Sequence, residues 1–212
     1  MAAEILKVSK EAPEVPLIQY AAGFIACGQV VGIPTDTFYG LAADPMNLAA
    51  VEAIYRVKGR PEQKPLPVLV RNVEQAVELV RDLSENFLRL AKRFWPGALT
   101  MVVEASHKIP LKVTGNTGRV ALRWANSRVA CTLIEVAGMP LTGTSANVSG
   151  FAPCTSAEQV ARQMSERLPL IIDAGDTGAT LPSTIVEIRG DEWRVLREGG
   201  VPEAEILKAL SE

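Results

Sequence analysis

The chain has 212 residues, 48% of them apolar and 22% charged, with a formal net charge of −2. That describes an ordinary soluble globular chain with one good-sized core. It excludes a strong whole-molecule pull on nucleic acid or an anionic bilayer, while leaving room for a local basic patch. Three scattered cysteines, Cys27, Cys131 and Cys154, fit reduced thiols in a cytoplasmic protein better than a disulfide framework. The acidic start MAAEILKVSKEAPEVP is no signal peptide. No apolar run nears the roughly 20 residues that span a bilayer. One histidine, His107 in EASHKIP, rules out a two-histidine metal site and reads as a solvated loop residue.

In chain order, VPLIQYAAGFIACG predicts a helix with Leu17, Tyr20, Ala21 and Phe24 on one face. VVGIP is a short buried strand. Asn47 caps a helix that runs to about Lys58, where Gly59 and Pro61 stop it. PLPVLV is a strand. NVEQAVELV and SENFLRLAKRFW are helical, the second opened by Ser84 and closed before Pro96. ALTMVVEA and RVALRW are strands, and NSRVACTLIEVAG is a helix ending at Gly138. PLTGTSA is a short strand entering a polar loop. Two overlapping capping boxes, Thr155 with Glu158 and Ser156 with Gln159, open the next helix. LPLIIDA, STIVEIR and EWRVLR are the last strands, and Pro202 starts a final short helix. Seven or eight strands with about six helices argue an α/β fold, a mixed parallel and antiparallel sheet with flanking helices. No repeat or flexible linker interrupts the chain, so residues 1–212 are expected to form a single domain.

Three polar clusters each follow an apolar run, where open α/β sheets tend to hold ligands. PTDTFYG at 34–40 reads either as a self-satisfied turn, with Asp36 bonding its own backbone, or as the wall of a site. RVKGRPEQKP at 56–65 sets Arg56, Lys58, Arg60 and Lys64 against Glu62. A solvated basic face is the plain reading. Yet Lys58 continues the apolar stripe of Val51, Ile54 and Tyr55, either snorkelling or delivering a cation into a cleft. A polyphosphate suits such a cluster. TGTSANVSG at 142–150 is a loop of small and hydroxyl residues that allows close backbone approach. The chain contains no Walker loop, dinucleotide fingerprint or nucleophile elbow.

PTDTFYGL (34–41), KGRPEQKPLPVLV (58–70), FWPGALTMVV (94–103), TSANVSG (144–150), STIVEI (183–188) and VLREGG (195–200) stand in the order and spacing of the YrdC-like threonylcarbamoyl-AMP synthases. The resemblance runs from about residue 14 to 202 and is similar to the short, single-domain form. It implies an open twisted α/β sheet with a concave basic cavity. It also implies a reaction: L-threonine, bicarbonate or CO2, and ATP give threonylcarbamoyl-AMP and pyrophosphate. A partner transferase machinery then modifies adenosine 37 of tRNA.

By the same resemblance, Lys58 and Arg60 are the catalytic phosphate contacts. Lys64, Arg119, Ser145, Asn147 and Arg197 bind ATP. Thr37, Arg123, Thr142 and Ser183 bind L-threonine. Magnesium rides on the nucleotide, with no protein metal site. Departures from the family pattern are Leu69 where some members carry histidine, Arg119 where a hydroxyl residue is common, and Pro182 where others have glutamate. No protein nucleophile is required: the threonine carbamate attacks the α-phosphorus, and the protein supplies positioning, charge and dryness. Three rivals remain open. A concave basic surface could bind RNA weakly, although aromatics make up only 5% of the chain. Related domains activate carbamoyl groups in longer, metal-centre maturation proteins. A scaffold could also bind ATP without turning it over.

Overall fold

A computed structural model describes residues 2–164 and 166–211. The first half contains β1 (Glu4–Lys7), α1 (Val15–Ala26), β2 (Val31–Ile33), β3 (Gly40–Ala42), α2 (Leu48–Lys58), β4 (Pro67–Leu69), α3 (Val73–Val77) and α4 (Glu85–Phe94). The second contains β5 (Leu99–Glu104), β6 (Arg119–Arg123), α5 (Arg128–Ala137), β7 (Leu141–Thr142), β8 (Thr144–Ser145), α6 (Ala157–Met164), β9 (Leu170–Asp173), β10 (Thr184–Arg189), β11 (Glu192–Arg197) and α7 (Glu203–Ser211).

Local chemistry sets most helix ends. The Asn47 carboxamide oxygen accepts from the Ala49 and Ala50 amides, and Gly59 ends α2 at φ 58°. Ser84 and Ser127 cap α4 and α5 in the same way. Ahead of α6, the Ser156 hydroxyl accepts from the Gln159 amide, and the Gln159 side chain reaches back to the Thr155 amide. Helix α1 departs from expectation. Its buried stripe is Ile18, Ala21 and Ile25, while Tyr20 is 48% exposed and bonds the Glu4 carboxylate. The helix has no charged residue to mark a wet side, so packing against α5 and β9, not periodicity, chose the face.

The strands form two mixed sheets, not one. One runs β1-β9-β2-β3-β8; the other runs β11-β10-β5-β6-β4-β7. The chain crosses from the second sheet to the first within three residues, Thr142-Gly143-Thr144. Gly143 makes the crossing possible. Its amide bonds Pro67 O at 2.8 Å, and a Cβ there would collide with the Leu69 side chain. Helices α1 and α5 cover one face of the first sheet through Ile18, Ile25, Leu133, Ile134, Val31 and Leu170. The larger core gathers α2, α4, α6 and α7 around Ile54, Phe87, Leu90, Val160, Val186 and Ile206. No helix among the described residues is long and apolar enough to cross a membrane.

Candidate active site

The two sheets wall a cavity of about 950 Å³. One face of the second sheet supplies its floor, because side chains alternate along a strand. Thr100 and Val102 of β5, Arg119, Ala121 and Arg123 of β6, Ile185, Glu187 and Arg189 of β10, and Pro67 and Leu69 of β4 all line it. Register brings Leu69 beside Arg123, and Pro67 beside Ala121. The floor is thus polar at both ends and apolar in the middle.

Arg123 dominates one end. It is 6% exposed, with three of its five N–H groups committed. Its Nε donates to Gly97 O at 3.0 Å, Nη1 to Thr37 Oγ1 at 2.8 Å and Nη2 to Asp36 Oδ1 at 2.7 Å. One N–H on each terminal nitrogen remains, the number a carboxylate takes from an arginine fork. Burial lowers the Arg123 pKa, and Asp36 opposes that. Arg197 stands close enough for its own pKa to be lowered, first by burial and then by the Arg123 charge. Two guanidinium groups stand at this end and only Arg123 of the two is paired with a carboxylate among the described residues, so this end favours an anion. Ser183 completes it: its carbonyl accepts from Arg197 Nη2 at 2.6 Å, and its hydroxyl lies 2.8 Å from Thr100 Oγ1.

Asp36 does not organise its own turn, as one sequence reading had it. Thr35 does: its hydroxyl accepts from the Thr37 amide and donates to Phe38 O. That frees the Asp36 carboxylate to meet Arg123 from the other sheet.

At the opposite end, Arg119 donates from Nη2 to Ile188 O at 2.8 Å. Its Nε lies 3.1 Å from Glu187 Oε1 but off the hydrogen-bond line. Arg194 at 2.7 Å and Arg189 at 3.2 Å complete an ion cluster around Glu187. Burial works to raise the Glu187 pKa, but the hydrogen bonds from Arg189 and Arg194 and the Arg119 charge outweigh it, and the pKa is lowered. Arg60 enters from the α2–β4 connection, its Nη2 donating to Pro65 O at 2.9 Å.

Thr37, Arg60, Arg119, Arg123, Ser145, Asn147, Ser183 and Arg197 thus meet on one cavity wall. Three expected residues do not. Lys64 is exposed on the connection, off the wall. Thr142 is fully buried, its hydroxyl donating to Leu41 O and accepting from Ala43 N, which ties the two sheets together. Lys58 lies behind the wall, its ammonium on the carbonyls of Ser145 and Asn147. Sequence reasoning missed Thr100, Thr117, Glu187 and Arg189, and reached Thr35 and Phe38 only as members of the PTDTFYG cluster. The two-residue alternation in STIVEIR carried a usable signal, since Ile185, Glu187 and Arg189 share a face. Among the described residues no three acidic, cysteine or histidine side chains cluster as metal ligands.

A family model named for Sua5, YciO and YrdC, and described as "Telomere recombination", matches residues 23–199. The chain is 40% identical over 197 residues to the threonylcarbamoyl-AMP synthase of Pyrococcus abyssi, covering 92% of this chain and 57% of that one. To the threonylcarbamoyl-AMP synthase of Bacillus subtilis it is 38% identical over 192 residues, covering 90% of this chain and 56% of that one. The crystal structure of P. abyssi Sua5 complexed with L-threonine matches with a TM-score of 0.94 at 38% identity, over 98% of this chain and 61% of that one. The chain belongs to the Sua5/YciO/YrdC family. It spans a little over half the length of these relatives.

Proposed function

We propose that this chain is an L-threonylcarbamoyladenylate synthase, a nucleotidyltransferase working in the cytoplasm as one catalytic unit over residues 1–212. Its substrates are L-threonine, bicarbonate or CO2, and ATP; its products are threonylcarbamoyl-AMP and pyrophosphate. The activated threonylcarbamoyl group then passes to a transferase machinery acting on adenosine 37 of tRNA. The observation that carries this reading is Arg123. It is a buried arginine, fixed by three acceptors, with two N–H groups left at one end of a cavity that carries cationic groups at both ends.

The α-carboxylate of threonine takes the two remaining N–H groups of Arg123, with Thr37 and Ser183 beside it. The amine nitrogen bonds to the carbon of CO2 and loses a proton, giving a carbamate. A carbamate oxygen attacks the α-phosphorus of ATP, the bond to the β-phosphate oxygen breaks, and pyrophosphate leaves with that electron pair. Arg60, Arg119 and Arg197 lie on the wall that the phosphates would face. Such donors act on charge that develops in the transition state. Enclosure protects the carbamate and the mixed anhydride from water. Magnesium enters as part of the nucleotide. Among the described residues the single carboxylate on the cavity wall is Glu187, and three arginines already occupy it.

The test is pyrophosphate release from ATP and magnesium, with and without L-threonine plus bicarbonate, coupled to mass detection of threonylcarbamoyl-AMP. Release that requires both co-substrates supports the synthase. ATP binding with no turnover refutes it and favours the ATP-scaffold alternative, and hydrolysis indifferent to threonine refutes both.

A further inference from the structure

Lys58 ends α2 beside the cavity but not on its wall. It continues the buried stripe of Val51, Ile54 and Tyr55 and is 1% exposed. An ammonium group has three N–H donors and no acceptor. All three are directed at one loop: at Ser145 O, at Asn147 O 2.8 Å away, and more weakly at Asn147 Oδ1 3.5 Å away. The main chain closes the same contact, the Ser149 amide donating to Lys58 O at 2.9 Å. Residues 145–149 are therefore gripped by one lysine through both its side chain and its backbone.

This grip bears on the cavity. Ser145 and Asn147 both line it, yet their carbonyl oxygens are turned back into the ammonium. A carbonyl oxygen on the wall would repel a phosphate; held on Lys58, it faces away. The Asn147 side-chain Nδ2 is also committed, donating to Val148 O and Phe151 O at 2.9 and 2.8 Å. The hydroxyl of Ser145 is what this loop offers a ligand.

We propose that Lys58 is a positioning residue, holding the 145–149 loop so that two carbonyl oxygens are withdrawn and Ser145 meets an anionic ligand, without touching that ligand itself. The proposal rests on the nucleotide reading of the cavity and assigns Lys58 a different part in it from that of Arg60. With the donors of Lys58 directed at the loop, it acts on the ligand through Ser145.

A double-mutant cycle tests it, with ATP affinity measured by calorimetry on wild type, Lys58→Met, Ser145→Ala and the double variant. Each single change should weaken ATP binding about tenfold, and the double should be about as weak as Lys58→Met alone, since both act through one contact. Threonine affinity should stay within about twofold in all four. Additive losses, about a hundredfold in the double, would overturn the proposal, because Lys58 would then act independently of Ser145. Should Lys58→Met fail to fold, the structure of the wild-type protein with a non-hydrolysable ATP analogue decides. Lys58 Nζ still on the carbonyls supports the proposal; Nζ within about 3.2 Å of a phosphate oxygen overturns it. Wild-type protein that binds no ATP would overturn the nucleotide reading first and this proposal with it. ATP binding with additive losses would overturn this proposal alone.

Discussion

At the scale of single residues, charge placement decides the chemistry. Arg123 is worth more than a point charge because its geometry is fixed from both sheets. Arg123→Lys keeps the charge and removes the fork. Threonine KM should rise at least about tenfold, the equivalent of ~1.4 kcal/mol, with ATP KM nearly unchanged. Initial-rate kinetics with each substrate varied in turn check this, and the reverse pattern would mean the two ends of the cavity are misassigned. Lys58 gives a pH prediction. Burial first and then the Arg60 charge lower its pKa to about 8, with Cys154 opposing. Burial raises the Cys154 thiol, and the Lys58 and Arg162 charges oppose that. As pH rises through about 8, Lys58 loses one of three donors and the loop loosens, so ATP affinity should fall. Stability should move the other way. Between about 8 and 9 the unfolded chain keeps a proton on Lys58 that the folded chain has lost, so unfolding free energy rises with pH there; from about 9 upward the raised Cys154 thiol works against that rise. A fall in affinity between about pH 8 and 9 without a fall in melting temperature is the expected signature. Sequence alone made Lys58 a candidate by its place in an apolar stripe; the identity of its partners depended on a loop 87 residues away.

At the scale of elements, the sequence was most legible where the signal is local. The capping side chains of Asn47, Ser84 and Ser127 and the left-handed Gly59 and Gly138 fall where the residue types demand. Strands β1 and β3 were not legible. EILK and GLA are short; β1 pairs at long range with residues 170–173, and β3, three residues long, pairs with the equally short neighbouring β2 and with the distant β8. Division into two sheets was equally hidden, and its tightest crossing, between β7 and β8, turns on Gly143. Gly143→Ala should force Leu69 aside and cost about 1–3 kcal/mol, lowering the melting temperature and misplacing the floor beside Arg123. An unchanged melting temperature would show that Leu69 relocates freely. Asn47→Ala removes the cap of the helix that carries Lys58, and should cost about 1 kcal/mol in denaturant unfolding, with no selective effect on threonine KM.

At the scale of the whole molecule, the net charge of −2 conceals a cavity with five arginines and one carboxylate on its wall. Composition could exclude a strong whole-molecule pull on nucleic acid, but it could not reveal a concentration of cations inside a mildly acidic protein. The ordered motifs at 34–41, 58–70 and 144–150 marked three of the walls. The long strands β5, β6 and β10 brought the rest together through alternation. The thiols lie outside the proposed chemistry: Cys27 is exposed, Cys131 half-buried and Cys154 buried, and none is bonded to another. Replacing all three by Ala or Ser should leave turnover within about threefold in protein that folds, since no covalent step uses them. Abolished turnover in a folded triple variant would mean a thiol takes part.

The most direct measurement supplies 13C-bicarbonate with unlabelled ATP and L-threonine, and follows the nucleotide product by mass spectrometry. The synthase reading predicts one labelled carbon in a threonine-containing adenylate, formed together with pyrophosphate. An adenylate without the label, or no threonine-containing adenylate at all, would contradict it.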